Sequence, residues 1–191
     1  MRERDIRQTL RRYLAMINKA PNTAIIDEFG VCQGRARVDM AVVNGTLQGY
    51  EIKSEDDTLS RLPLQADFYS KVFNTVTLVV ASKHLRVVRT MVPKWWGLWE
   101  ACKSSSGVVL RKARRRRPNP DPDPVSVAQL LWKDEILDIL VGLGADAGCK
   151  SKPKRWLWSY LASIISPRQL GDMVRQRLKR RASQQSAYSQ V

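Results

Sequence analysis

Three residues in the first third of the chain have the types and spacing for phosphodiester chemistry: Asp39, Glu51 and Lys53. On a strand, Glu51 and Lys53 leave the same face and Ile52 turns the other way. Asp39 precedes an Asn44-Gly45 pair, the strongest hairpin signal in the chain. With a loop of Asn44-Gly45-Thr46, Val43 opposes Leu47 and Asp39 opposes Glu51. That register puts Val38, Met40 and Val42 on the face of Gln48, Tyr50 and Ile52. A two-residue loop would turn Asp39 onto the face of Tyr50 and Ile52, because a one-residue slip moves every side chain across. The apolar pattern therefore selects the register that gathers two carboxylates and a lysine.

Directly opposed positions have Cβ atoms about 4.5–5.5 Å apart. Two carboxylates that close repel unless a cation lies between them. Oxygen ligands of this kind suit Mg²⁺ or Mn²⁺. A metal polarises a phosphate and makes an attacking water more acidic. A lysine beside it orients that water, or helps deprotonate it, and offsets charge on the phosphorane. The same residue types also make ordinary ion pairs on a surface hairpin; the shared face and the apolar flanks argue for the metal site.

The elements that must position these residues are legible as well. Ile6, Leu10, Tyr13, Leu14 and Ile17 predict an amphipathic helix over 2–17. Strands are predicted at 24–29, 35–43 and 46–54, then a helix over 58–73 with Leu64, Phe68, Val72 and Phe73 as its apolar side. Val76 to Val80 reads as a central strand buried on both faces. A helix over 83–91 and a short strand from Gly107 to Arg111 follow. Glu55, Asp56 and Asp57 read as a helix start. Trp95, Trp96 and Trp99 read as packing residues, as do Trp156, Trp158 and Tyr160.

These features resemble the PD-(D/E)XK nuclease superfamily, in which an Asp on one strand is followed by Glu-x-Lys on the next. Arg37-Val38-Asp39 and Tyr50-Glu51-Ile52-Lys53-Ser54 match that pattern, although no Pro precedes Asp39. The element order over roughly residues 1–82 matches too. Gln65-Ala66-Asp67-Phe68-Tyr69 is similar to the Gln-x-x-x-Tyr signature of RecB-like branches. The resemblance implies an α/β fold with a restriction-endonuclease-like αβββαβ core. It implies Asp39, Glu51, Lys53, Gln65 and Tyr69 as catalytic residues. For Mg²⁺ or Mn²⁺ it implies Glu28, Asp39, Glu51 and the Ile52 carbonyl as ligands. Gln65 and Tyr69 share one helix face and would hold the substrate backbone or position Lys53.

Charge points to the substrate class. The chain of 191 residues carries a formal net charge of +15, which implies a polyanionic partner, nucleic acid before anionic membrane and DNA ahead of RNA. Arg111, Lys112, Arg114, Arg115, Arg116 and Arg117 form the densest cluster and read as phosphate contacts. From there the composition changes. The expected division is a nuclease-like core over 1–110, a basic, Pro-rich linker over 111–124, a helical C-terminal module over 125–182 and a disordered tail over 183–191. Cys32, Cys102 and Cys149 are scattered and, with the lone His84, make no zinc pattern. The charged N-terminus and the lack of a long apolar run point to a cytoplasmic protein without a signal peptide or membrane span. A homodimer or protein partner stays open. The rival reading is a catalytically silent nucleic-acid-binding protein with the same fold.

Overall fold

A computed structural model describes residues 1–105 and 107–188 of the protein. The fold is mixed α/β. It begins α1 (Glu3–Ile17), β1 (Ala24–Val31), a single 3₁₀ turn (Cys32–Gly34), β2 (Ala36–Val43), β3 (Leu47–Lys53), α2 (Leu62–Val72) and β4 (Thr75–Ala81). It continues α3 (Ser82–Met91), β5 (Gly97–Ser104), β6 (Gly107–Arg114), α4 (Pro124–Ala128), α5 (Lys133–Gly142), α6 (Lys154–Ile164) and α7 (Pro167–Tyr188). The six strands lie side by side in chain order. β1, β2 and β3 form an antiparallel meander, β3, β4 and β5 are parallel, and β6 returns antiparallel on β5.

The sheet is covered on both faces. On one, Ile6, Leu10 and Leu14 of α1 pack on Met40, Val42, Tyr50, Ile52, Val79 and Trp99. On the other, α2 packs with Val76, Leu78, Val80 and Leu98. β4 therefore contributes to both cores, as its mostly apolar run predicts. The buried side of α2 is Leu62, Ala66, Tyr69 and Val72, and Leu64 is 59% exposed. Of the expected apolar side, Val72 and Phe73 are buried and Phe68 packs against the core, while Leu64 gives way to Leu62, Ala66 and Tyr69; this placement turns Gln65 and Tyr69 toward the sheet. The helix also starts later than predicted. Asp57 accepts hydrogen bonds from the Ser54 amide (2.7 Å) and hydroxyl (2.6 Å), closing a turn after β3 before α2 begins.

The expected division of the chain is redrawn in three places. Arg111, Lys112 and Arg114 belong to β6. The following segment is pinned: the Arg117 amide donates to Trp95 O (2.8 Å), and Asn119 donates to Asn74 O (2.7 Å), Ser70 O (2.6 Å) and Phe73 O (2.9 Å). Second, the C-terminal helices share the α2-side core, through Leu131, Leu140, Leu157, Leu161, Leu170 and Val174. An apolar stripe that covers a sheet cannot also be the inside of a separate module. Third, α7 continues through 183–188, where Ala and Gln favour helix; only 189–191 of the expected tail lie outside the described residues. Among the described residues, no helix is long and apolar enough to cross a membrane.

A shared core predicts a single unfolding transition. Leu161→Ala, at a fully buried position of α6, is expected to destabilise the whole chain by about 2–5 kcal/mol. Urea denaturation followed by tryptophan fluorescence and by circular dichroism should give coincident curves. Separate transitions for sheet and helices would restore an independent C-terminal module.

Candidate active site

The hairpin has the expected loop. Val43 pairs with Leu47, and the ladder runs to Met40 opposite Tyr50. There it stops, because Asp39 Oδ2 accepts the Ile52 amide at 2.6 Å. A side-chain oxygen has replaced a backbone one, so β2 and β3 part and Asp39 sits in the opening beside Glu51. A strand residue directs its amide and carbonyl to the same edge, so the Ile52 carbonyl faces this opening too.

Across β2, Glu28 has a left-handed φ of 51°. It lies between the pairs Asp27–Met40 and Phe29–Val38. Such a backbone in a non-glycine residue is uncommon and is held only where surrounding structure demands it. The alternation of both strands skips here, and Ile26 and Phe29 face the same core. Val38 is carried with them: it packs on the α2 side, not with Met40 and Val42 as the ideal pleat predicts. Glu28, Asp39 and Glu51 thus stand on three adjacent strands at one level.

Glu51 is 3% exposed, and three donors meet its two oxygens. Its Oε1 accepts from Lys53 Nζ (2.8 Å) and Gln65 Nε2 (2.7 Å). Its Oε2 accepts from the Tyr69 hydroxyl (2.8 Å). That hydroxyl also lies 2.7 Å from Arg37 O, so its single proton serves two acceptors. Tyr69 is fixed from behind by Trp96, stacked at 6.1 Å and 21°. The five residues implied as catalytic, from Asp39 to Tyr69, are therefore brought together.

One member of the site is not foreseen in the sequence. Arg7 of α1 reaches Asp39 Oδ1 (2.5 Å), Glu28 Oε1 (2.8 Å) and Glu3 Oε1 (2.6 Å). Burial lowers the proton affinity of its guanidinium, but the Glu3 hydrogen bond and the charges of Asp39, Glu3 and Glu28 outweigh it and raise the pKa. Its position off the Ile6–Leu10–Leu14 stripe marks it as polar, but no spacing links it to Asp39. The Asp39 carboxyl is pushed up to about 7, by burial first and then by the Glu51 charge; the Ile52 amide and Arg7 oppose the rise. The Tyr69 hydroxyl is also raised, by burial and by Glu51.

The arginine run lies elsewhere. Lys112 rests over Tyr13 and Trp99, Arg116 over Tyr50, and Arg114 donates to Trp96 O and Pro93 O. Traced through β5 and β4, Arg111 is level with Lys53, Lys112 with Ile52 and Arg114 with Glu51, and only the end of the run, at Arg116 beside Gly97 and Thr77, passes further along. The separation is across the sheet: β6 is three strands from β3, roughly 14 Å at about 4.8 Å per strand. Arg115 and Arg117 make no ion pair among the described residues.

The chemistry of the donor set suits a hard divalent cation. Asp39 and Glu51 are adjacent carboxylates, and Gln65 Oε1 is buried with no donor. Yet no group of three or more His, Cys, Asp or Glu side chains among the described residues stands ready to ligate an ion. Arg7 supplies the positive charge between Glu28 and Asp39.

A family model described as bacteriophage P4 protein cII matches residues 1–190. The chain belongs to the bacteriophage P4 protein cII family. Protein cII of Enterobacteria phage P4 is 29% identical over 140 residues, which cover 73% of this chain and 53% of that relative. The chain thus spans about half the length of the curated relative it matches. No solved structure matches it. The cII match covers both the sheet and the C-terminal helices, in keeping with their common core. The family description names no reaction, so any chemistry is argued from the site.

Tyr69→Phe removes one donor from buried Glu51 and is expected to cost about 1–3 kcal/mol in urea denaturation. For Asp39 the unfolded carboxyl titrates near 3.8 and the folded one near 7. Between those values the unfolded chain has lost a proton that the folded chain keeps, so this group makes folding less favourable as pH rises. Melting of Asp39→Asn and wild type across that window should show the variant gaining relative stability from low to high pH. A constant difference would exclude the raised Asp39 value.

Proposed function

We propose that this chain is a Mg²⁺- or Mn²⁺-dependent nuclease with a restriction-endonuclease-like core, hydrolysing phosphodiester bonds in nucleic acid, DNA ahead of RNA, in the cytoplasm. One observation carries the reading: Lys53, Gln65 and Tyr69 converge on the buried carboxylate of Glu51, with Asp39 at its side. These are the residues that a motif spread over 31 positions singles out, from Asp39 to Tyr69. The order α1-β1-β2-β3-α2-β4, a meander followed by a parallel crossover, supports the same core.

In this reading Asp39 and Glu51 hold the ion, with Glu28 and the Ile52 carbonyl. The bound ion supplies Lewis-acid polarisation of the phosphate and a more acidic water. Gln65 and Tyr69 hold the Glu51 carboxylate in place, which keeps its oxygens from rotating. Lys53, with a side chain only 10% exposed, orients the attacking water and offsets charge on the phosphorane. The free cations Arg115 and Arg117 contact phosphates away from the scissile bond.

A second reading has its own observation. Arg7 spans Glu28 and Asp39, where the first reading puts the ion. A guanidinium kept there permanently would make a catalytically silent nucleic-acid-binding protein.

Cleavage of labelled DNA and RNA with Mg²⁺ or Mn²⁺ tests the first reading. Wild type should cut, and Lys53→Ala and Asp39→Ala should each lose about 100-fold or more. Equal cleavage by all three would reject the mechanism. Mn²⁺ titration by calorimetry separates the readings without turnover. Arg7→Gln should bind Mn²⁺ more tightly than wild type, and binding should strengthen from pH 6 to pH 8 as Asp39 loses its proton at about 7. Absence of Mn²⁺ binding by both proteins would support the silent reading.

A further inference from the structure

The C-terminal half of the chain carries a surface that the carboxylate site does not use. From Ala147 to Gly171 there is no acidic residue, while Lys150, Lys152, Lys154 and Arg155 stand within six positions. All four are exposed, and none makes an ion pair among the described residues. Trp156 lies in their midst with 41% of its surface exposed. It is not the core residue that its helical spacing predicts. Leu157, Trp158 and Leu161 fill the buried side of α6, and the Trp158 indole donates to Leu131 O at 3.3 Å. Trp156 turns away from them and stacks on Tyr160, four residues on, at 4.8 Å and 24°. Lys152, four residues back, holds its ammonium 5.4 Å from the Trp156 ring centre.

Exposure of a tryptophan is not enough by itself, as Trp132 shows. That ring is 58% exposed but is covered by the Arg181 guanidinium at 4.0 Å, and Arg181 is paired with Glu135. Its charge and its stacking face are both taken. Around Trp156 the cations are unpaired, and Lys152 is a long, flexible side chain that can exchange a ring for a phosphate. A rigid stacked aromatic pair beside unpaired cations is complementary to one class of polymer: a polyanion that offers free aromatic faces. A duplex keeps its base faces stacked inside and offers only the charge.

We propose that Trp156 and Tyr160, with Lys150, Lys152, Lys154 and Arg155, form a docking surface for single-stranded nucleic acid. An unpaired base stacks on Trp156, and the flanking phosphates meet the four cations. The surface shares with the proposed function only the polyanionic partner, and it needs no metal.

The test is binding of the full chain, in EDTA, to a fluorescent oligothymidylate of about 20 nucleotides, longer than a typical single site, and to a duplex of equal length. Trp156→Ala should weaken single-strand binding about 5- to 150-fold, the loss of one stacked base, and leave duplex binding within twofold. Trp156→Phe, which keeps a ring, should retain most of the affinity and serves if the alanine variant folds poorly. Lys152→Ala with Lys154→Ala should make the slope of log K against log salt shallower by about 1.4, or about 0.7 per phosphate contact. Unchanged single-strand binding by Trp156→Ala, or an equal loss on strand and duplex, overturns the proposal. So does a loss confined to vesicles of anionic phospholipid, which would assign the face to a membrane. EDTA suppresses hydrolysis, so a chain that binds through Trp156 yet cuts nothing with Mn²⁺ would overturn the nuclease and leave this surface standing.

Discussion

Asp39 and Glu51, two like charges on neighbouring strands, are the constraint that the rest of the structure answers. Buried carboxylates are costly unless each oxygen has a donor and the charge has a counterpart. Nearly every element of the first half contributes one. α1 brings Arg7, β3 brings Lys53 and the Ile52 amide, and α2 brings Gln65 and Tyr69. β1 adds the third acid, Glu28, at the expense of a left-handed backbone and a skipped alternation. The compensation for Asp39 is incomplete, since its carboxyl still titrates near 7.

That arrangement rests on the far side of the sheet as much as on the hairpin. Tyr69 reaches Glu51 because α2 buries Leu62, Ala66 and Tyr69, and because Trp96 backs the tyrosine ring. The C-terminal helices close over the same core. The family match along residues 1–190 is therefore to one folded unit.

The surplus of positive charge is divided among three places with different duties. Arg7 and Lys53 neutralise the acids. Arg114 and Arg116 are spent largely on the fold, on carbonyls and on the Tyr50 ring. Arg115, Arg117 and the cations around Trp156 are left for solvent or a partner. A run of basic residues in sequence is thus a mixed population, and only contacts separate the structural members from the available ones.

The local rules of the chain were enough to determine much of this protein. Alternation on a strand put Glu51 with Lys53, the apolar pattern selected the three-residue loop, and helical spacing put Gln65 with Tyr69. Each of these depends on residues within one element or one hairpin, where geometry follows from sequence distance. The tertiary structure alone decided the rest. Arg7 meets Asp39 from 32 positions away because α1 crosses the sheet. Val38 changes face because Glu28 distorts the neighbouring strand. Arg111 to Arg114 join the sheet because β5 offers an open edge, and Trp156 faces outward because Leu157, Trp158 and Leu161 already fill the buried side of α6. These are contests between distant segments for the same space and the same hydrogen bonds, and periodicity within a segment does not record who wins them.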